Sequence, residues 1–254
     1  MARIIACVSG KGGVGKTVTV SNLGAALVKH GKNVIILDAN VTTPNLSLHL
    51  GIPFYPITLH DVLKKKMPVE SAIYYHHSGV KVIPASLSYD AMKDVDIERL
   101  ESVLWNLLGK ADIVIVDSAA GLGKEALTAI NVADELIVVT NPDIPAVTDA
   151  LKTIKIAQDN GTKVLGAVIN RVRGLKHELS ASDVKSMLGV PIIAIVPEDI
   201  AVPRSIANKM PVVHHRPNSR AAREFIRLAA RIAGEPWFET KKRTLFERLF
   251  FWLK

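Results

Sequence analysis

Cysteine is nearly absent from this 254-residue chain, with Cys7 its only example. A lone thiol excludes an internal disulfide, and the lack of any C-x-x-C pair excludes the iron–sulfur carriers that need one. Cys7 lies inside a short apolar run, where a small buried residue is expected and a reactive thiol is not. The chain also lacks any stretch of 18 uncharged apolar residues, so no spanning helix is predicted. Nor is there room for a secretory signal ahead of the first apolar run, and the expected location of the body is the cytoplasm. Internal repeats and low-complexity segments are missing too. A hydrophobic content of 48% over 254 residues is ordinary for one folded α/β domain. Acidic charge falls short of basic charge, 24 residues against 32, for a net +8 that favours nucleic acid or an anionic membrane as partner. Half of that excess lies in residues 241–254, where five basic residues oppose Glu247 alone, 5 − 1 = +4.

What is present is dominated by Gly10–Thr17, GKGGVGKT, which fits the phosphate-loop pattern G-x-x-x-x-G-K-[ST] and carries a second lysine, Lys11. Gly12, Gly13, Val14 and Gly15 would turn successive backbone N–H groups toward phosphate oxygens. Lys16 supplies a point charge and Thr17 a hydroxyl for Mg²⁺. Val18 still offers a backbone N–H that can meet an α-phosphate. Context agrees with the motif: a strand-like run over 3–8 precedes it, and a helix-forming segment over 18–30, closing on Gly31, follows.

Further β-branched runs begin at Asn33, Val80, Ile113, Glu135, Lys163 and Pro191, nearly continuous in Val and Ile as buried parallel strands are. Segments 96–108, 143–159 and 219–233 repeat apolar residues at helical spacing. Alternating strands and helices predict an α/β fold, a doubly wound, mostly parallel sheet flanked by helices. Sites in such sheets gather where the strands end. Asp38 follows the second strand and Asp117 the strand from Ile113, so both carboxylates are expected to face the phosphate loop. Asp117 is the expected Mg²⁺ partner, and Gly121 lets backbone approach a γ-phosphate and respond to its loss. Asp117 as a helix cap is the alternative. His76-His77 and His214-His215 are adjacent pairs whose side chains are expected to diverge, which argues against chelation.

KGGVGKT from Lys11, D-A-N-x-x-x-x-N from Asp38 to Asn45, DSAAG from Asp117, TNPD from Thr140 and VINR from Val168 together resemble the deviant Walker A P-loop ATPases of the MinD/ParA group, over nearly the whole chain. Segment TLHDVL from Thr58, the length and the tail are most similar to the MinD branch. The resemblance implies ATP and Mg²⁺ as ligands, with Thr17, Asp38 and Asp117 at the metal and Asn45 and Gly121 as switch residues. It also implies an ATP-dependent homodimer in which Lys11 reaches the partner's phosphates, and adenine recognition by Asn170 with Arg171 and Pro197 nearby. One departure stands out. The family pattern places a water-positioning aspartate where this chain has Asn40, and an amide orients water through its carbonyl oxygen without taking a proton. Because phosphoryl transfer rests mainly on positioning and charge neutralisation, hydrolysis is expected to survive but run slowly. A nucleotide-gated scaffold that never hydrolyses is the harsher alternative.

The ATPase domain is expected over 1–234, followed by a linker and C-terminal helix over 235–254. Leu245, Phe246, Leu249, Phe250 and Leu253 fall on one helical face, with Trp252 nearby and Lys241, Lys242 and Arg243 ahead of it. That pattern predicts an amphipathic helix lying in an anionic membrane surface, each basic group contributing about 1 kcal/mol. Docking of the same face on the domain or a partner protein is the alternative. Two such helices in a dimer bind more firmly than one, so ATP would set membrane residence through dimerisation. The expected activity is a membrane-peripheral ATPase switch that recruits a regulatory or cargo protein, with ParA-like DNA partitioning ranked below it.

Overall fold

In the computed structural model, residues 2–51 and 54–235 are described. The apolar runs form eight strands: β1 Arg3–Ser9, β2 Val34–Asp38, β3 Tyr74–Tyr75, β4 Lys81–Ile83, β5 Ile113–Ala120, β6 Glu135–Thr140, β7 Lys163–Val172 and β8 Ile192–Pro197. They make one sheet in the order β3-β4-β2-β5-β1-β6-β7-β8. Every pair is parallel except β3 with β4, a two-residue antiparallel edge too short to read from pattern. The doubly wound reading therefore holds.

Two apolar layers cover the sheet because alternate strand residues point to opposite faces. In β1, Ile4, Ala6 and Val8 join the layer that holds Leu100, Leu104, Ile130, Val147 and Ile154. Ile5 and Cys7 join the other, with Val20, Leu23, Leu27, Phe225 and Leu228. That second layer is built by helices Lys16–Lys29 and Arg220–Ala233. The latter starts on Ser219, whose hydroxyl accepts from the Ala222 N–H at 3.2 Å, and ends at Gly234 in the left-handed region. Helix Ile144–Asp159 starts the same way, Asp143 accepting from Ala146 N–H at 2.9 Å.

Three local expectations are corrected. Residue His30 is the C-cap of the first helix, and Gly31 takes the left-handed turn one position later, at φ 72°. Segment 96–108 is not one helix. Asp96 accepts from the Glu98 N–H at 3.2 Å and tightens Ile97–Arg99 into a 3₁₀ turn, after which the α-helix runs only over Leu100–Trp105. His76 and His77 do not diverge: their ring centroids lie 3.9 Å apart with the planes tilted by 39°. Burial holds the His76 pKa down at about 4, so the pair does not bring two imidazolium charges together near neutral pH. Among the described residues, no helix is long and apolar enough to cross a membrane.

Candidate nucleotide site

β1 delivers the chain to the sheet's C-terminal edge at Ser9, and helix Lys16–Lys29 leaves from it. The turn between them depends on glycine at two places. A Cβ on Gly10 would lie 2.3 Å from the Asp149 backbone, and one on Gly15, at φ 95°, would lie 2.0 Å from Asn170 Nδ2. Gly15 caps the helix without a side-chain bond, so the first-turn N–H groups are directed to a ligand, together with the positive end of the helix dipole. A cavity of about 670 Å³ opens there, lined by Gly12, Gly13, Val14, Gly15, Lys16, Thr17 and Val18. Its volume falls in the range of small-molecule sites.

β2 and β5 are neighbours in register, which sets Asp38 beside Asp117. Their partners differ. Asp117 receives Lys16 Nζ at 2.5 Å and the Thr17 hydroxyl at 2.7 Å, with both charged groups buried. Burial pulls the Lys16 pKa down, but Asp117, by charge and hydrogen bond, more than reverses this and keeps the ammonium charged. The helix-cap alternative for Asp117 is removed, because helix Lys124–Val132 is capped by Gly123. Asp38 is fully buried and turns to its own loop, accepting from the N–H groups of Asn40 at 3.2 Å, Asn45 at 3.2 Å and Leu46 at 3.1 Å. Burial first, and the negative charge of Asp117 second, push its pKa up to about 7.

Asn40 lines the cavity, yet its amide is engaged at both ends. Nδ2 donates to the Thr43 carbonyl at 2.6 Å, while Oδ1 accepts from the Thr43 N–H and hydroxyl, each at 3.1 Å. The expected water-orienting oxygen is spent on the loop. Asn45 donates from Nδ2 to the same carbonyl at 2.9 Å and precedes the short helix Leu46–His49. Gly121, at φ 81°, donates its N–H to Ser9 O at 2.9 Å, tying the loop after β5 to the end of β1.

The three adenine candidates separate. Asn170 is buried beneath the phosphate loop, its Nδ2 donating to Val14 O at 2.7 Å. Arg171 lines the cavity from a left-handed backbone, φ 57°, at a break in the β7–β8 register. Asn170 and Pro197 are not part of the lining. Several lining residues escaped sequence reading, His49 and Glu125 among them. Burial lowers the pKa of His49. Neither belongs to a spacing pattern; tertiary folding alone brings them in. Cys7 is buried, which pushes its thiol pKa up and makes it inert.

Mg²⁺ fits this donor set. Thr17 Oγ1 and Asp117 Oδ2 are hard oxygens 2.7 Å apart, and among the described residues no three His, Cys, Asp or Glu side chains form a metal cage. Mg²⁺ typically needs only one or two protein oxygens when substrate phosphates supply others.

Residues 5–212 match the CobQ/CobB/MinD/ParA nucleotide binding domain. The chain belongs to this family. Within it the chain is MinD-like. It is similar, at 42% identity over 98% of its length and 95% of the relative's, to an uncharacterized ATP-binding protein of Methanocaldococcus jannaschii. It superposes on the cell division ATPase MinD of Pyrococcus furiosus with a TM-score of 0.89 at 36% identity, covering 92% of this chain and 99% of that one. The MinD of Pyrococcus horikoshii in complex with Mg-ADP gives 0.88 at 36% identity, covering 91% and 96%. In this MinD-like chain Lys11 is exposed and is not part of its own cavity's lining. Leu245, Phe246, Leu249, Phe250, Trp252 and Leu253, with the rest of the expected tail helix, lie outside the described residues.

Proposed function

We propose that this chain is an ATP-dependent dimerising switch of the MinD type that hydrolyses ATP slowly and binds the cytoplasmic face of the membrane peripherally through its C-terminal helix. The observation that carries the nucleotide part is the Lys16–Asp117–Thr17 cluster at the mouth of the helix. Lys16 and the N–H groups of the first turn bind phosphate oxygens, while Thr17 and Asp117 would hold Mg²⁺, which would supply charge neutralisation to the phosphates. Arg171 lines the cavity as the adenine candidate, and Asn170 steadies the loop from below. The relative from Pyrococcus horikoshii, solved with Mg-ADP, supports this assignment of ligand. Gly121 and Asn45, on the two loops flanking the cavity, pass the γ-phosphate's presence to the dimer face, where Lys11 reaches across to the partner copy.

The apolar face and basic cluster of residues 241–254 support the membrane reading. A DNA-binding reading has one observation in its favour: Arg220, Arg223, Arg227 and Arg231 follow one face of helix Arg220–Ala233. Intramolecular bonds occupy much of that stripe, since Arg231 reaches Ile192 O and Ile193 O, Arg220 reaches Glu198 O and Arg227 pairs with Glu224. Co-sedimentation of the full chain with anionic liposomes and with duplex DNA, with and without Mg·ATP, tests the two together. ATP-dependent pelleting with liposomes that is lost on truncation at residue 240 is the expected result. Pelleting with DNA alone overturns the membrane reading.

A further inference from the structure

A second cavity, of about 410 Å³, lies at the end of helix Leu59–Leu63. Val62, Met67, Pro68 and Val69 give it an apolar wall, Lys65, Lys66 and Arg99 line it as well, and no carboxylate does. Arg99 is engaged, with Asp96 at 3.2 Å and Leu63 O at 3.1 Å. Lys65 and Lys66 are exposed and, among the described residues, make no ion pair or side-chain hydrogen bond. Their backbone closes the helix: Lys65 N–H donates to Val62 O and Lys66 N–H to Asp61 O, each at 2.9 Å, with Lys65 in the left-handed region at φ 56°. Glycine is the usual residue at that point of a helix end, and a side chain there is strained. An unpaired lysine held in a strained conformation, next to another and over an apolar wall, fits an anion that carries apolar matter with it.

The loop is linked to the edge of the sheet from which the tail departs. Glu235, the last described residue, lies 3.8 Å from Lys32 Nζ. Asn33 Nδ2 donates to Lys110 O at 3.0 Å, and Lys110 Nζ pairs at 3.0 Å with Glu70, two residues beyond Pro68. These contacts follow the edge where β2 and β5 begin. We propose that Lys65, Lys66 and Met67 form a second contact with an anionic membrane, the lysines meeting phospholipid phosphates and Met67, 38% exposed, entering the interface. The assignment rests on the membrane reading above and deepens it by giving the body one orientation, this edge toward the lipid. Residues 236–240 span about 18 Å at full extension, so a bound tail holds Glu235 within that distance of the surface. At such range the loop acts as the second half of a linked pair and strengthens an anchor it could not replace.

Co-sedimentation of the full chain with Mg·ATP, on phosphatidylcholine vesicles with and without phosphatidylglycerol, tests the assignment. Lys65→Gly should bind the anionic vesicles about 5-fold more weakly, and Lys65→Gly with Lys66→Ser about 20-fold, while residual binding to neutral vesicles and ATP affinity stay as in the wild type. Because glycine suits φ 56°, Lys65→Gly should melt no lower than the wild type, which separates lost binding from lost folding. Lys176→Ser with Lys185→Ser removes the same charge from exposed positions elsewhere and should keep wild-type affinity. A polarity-sensitive dye on Met67→Cys should shift to the blue on anionic vesicles; Cys7 is buried and leaves that thiol as the labelling site. Wild-type affinity in the double loop variant overturns the assignment and leaves the lysines to the helix end. Equal weakening in the Lys176 and Lys185 variant overturns it too, since net charge alone would then explain the attraction. A wild-type chain that ignores anionic vesicles overturns the membrane reading, and this assignment with it. A chain that binds through its tail while the dye at residue 67 stays in water overturns this assignment alone.

Discussion

Asp38 and Asp117 occupy the same level of adjacent strands, both buried at the sheet's C-terminal edge, and do opposite work. Asp117 faces a buried ammonium and a hydroxyl, so its charge is matched by a cation. Asp38 faces three backbone N–H groups of the loop that follows it, and its charge is opposed by burial and by Asp117. A buried carboxylate is defined by its donors more than by its position on the strand. The cation side joins strand β5 to the phosphate loop; the amide side shapes the loop that carries Asn40, Thr42 and Asn45.

The sharpest way to break this contrast is Asp117→Ala. It strands Lys16 in a buried site, and a buried pair broken on one side costs about 3–5 kcal/mol. A denaturant midpoint measured with and without Mg·ATP should show that loss and its partial recovery when phosphates supply the missing negative charge. Thr17→Val keeps the ion pair and removes one hydrogen bond to a charged group, an expected loss of about 1.5–3 kcal/mol by the same measurement. Asp38→Asn should cost least at neutral pH, about 1 kcal/mol, because the amide oxygen still accepts two of the three N–H bonds.

The pH dependence separates the two carboxylates further. Folding raises the Asp38 pKa from 3.8 to about 7, so across that window the folded chain holds a proton that the unfolded chain has released. Stability therefore falls as pH rises through the window, and Asp38→Asn removes this slope. Thermal melts from pH 4 to 8 read it directly; a variant that keeps the wild-type slope would mean that Asp38 stays ionised throughout.

The phosphate loop and β1, β5 and β6 were legible because their residues obey local rules: continuous Val and Ile, glycine where φ is positive, lysine and threonine at fixed spacing. The antiparallel edge Tyr74–Tyr75 was not, since two residues carry no period. Helix Ala181–Leu188 carried a readable signal in Ser180 and Asp183, which form a capping box. Its apolar stripe is short, only Val184 and Leu188 being buried, and gives little helical period. The site divided along the same line. Lys16, Thr17 and Asp117 follow from motif and strand position. Asn40 and Asn170 matched a pattern whose roles depend on partners the pattern does not contain, Thr43 for one and Val14 for the other. Glu125 and His49 belong to no motif and enter the cavity only through packing.

Sedimentation of the full chain with Mg·ATP and with Mg·ADP, for wild type, Lys16→Ala and Lys11→Ala, tests the switch most directly. The wild type should double its mass with ATP and remain monomeric with ADP. Lys16→Ala should lose nucleotide binding, and Lys11→Ala should bind ATP yet stay monomeric, because Lys11 is exposed outside its own cavity. A wild-type chain that stays monomeric with saturating ATP, or a Lys11→Ala chain that dimerises as readily as wild type, would contradict it.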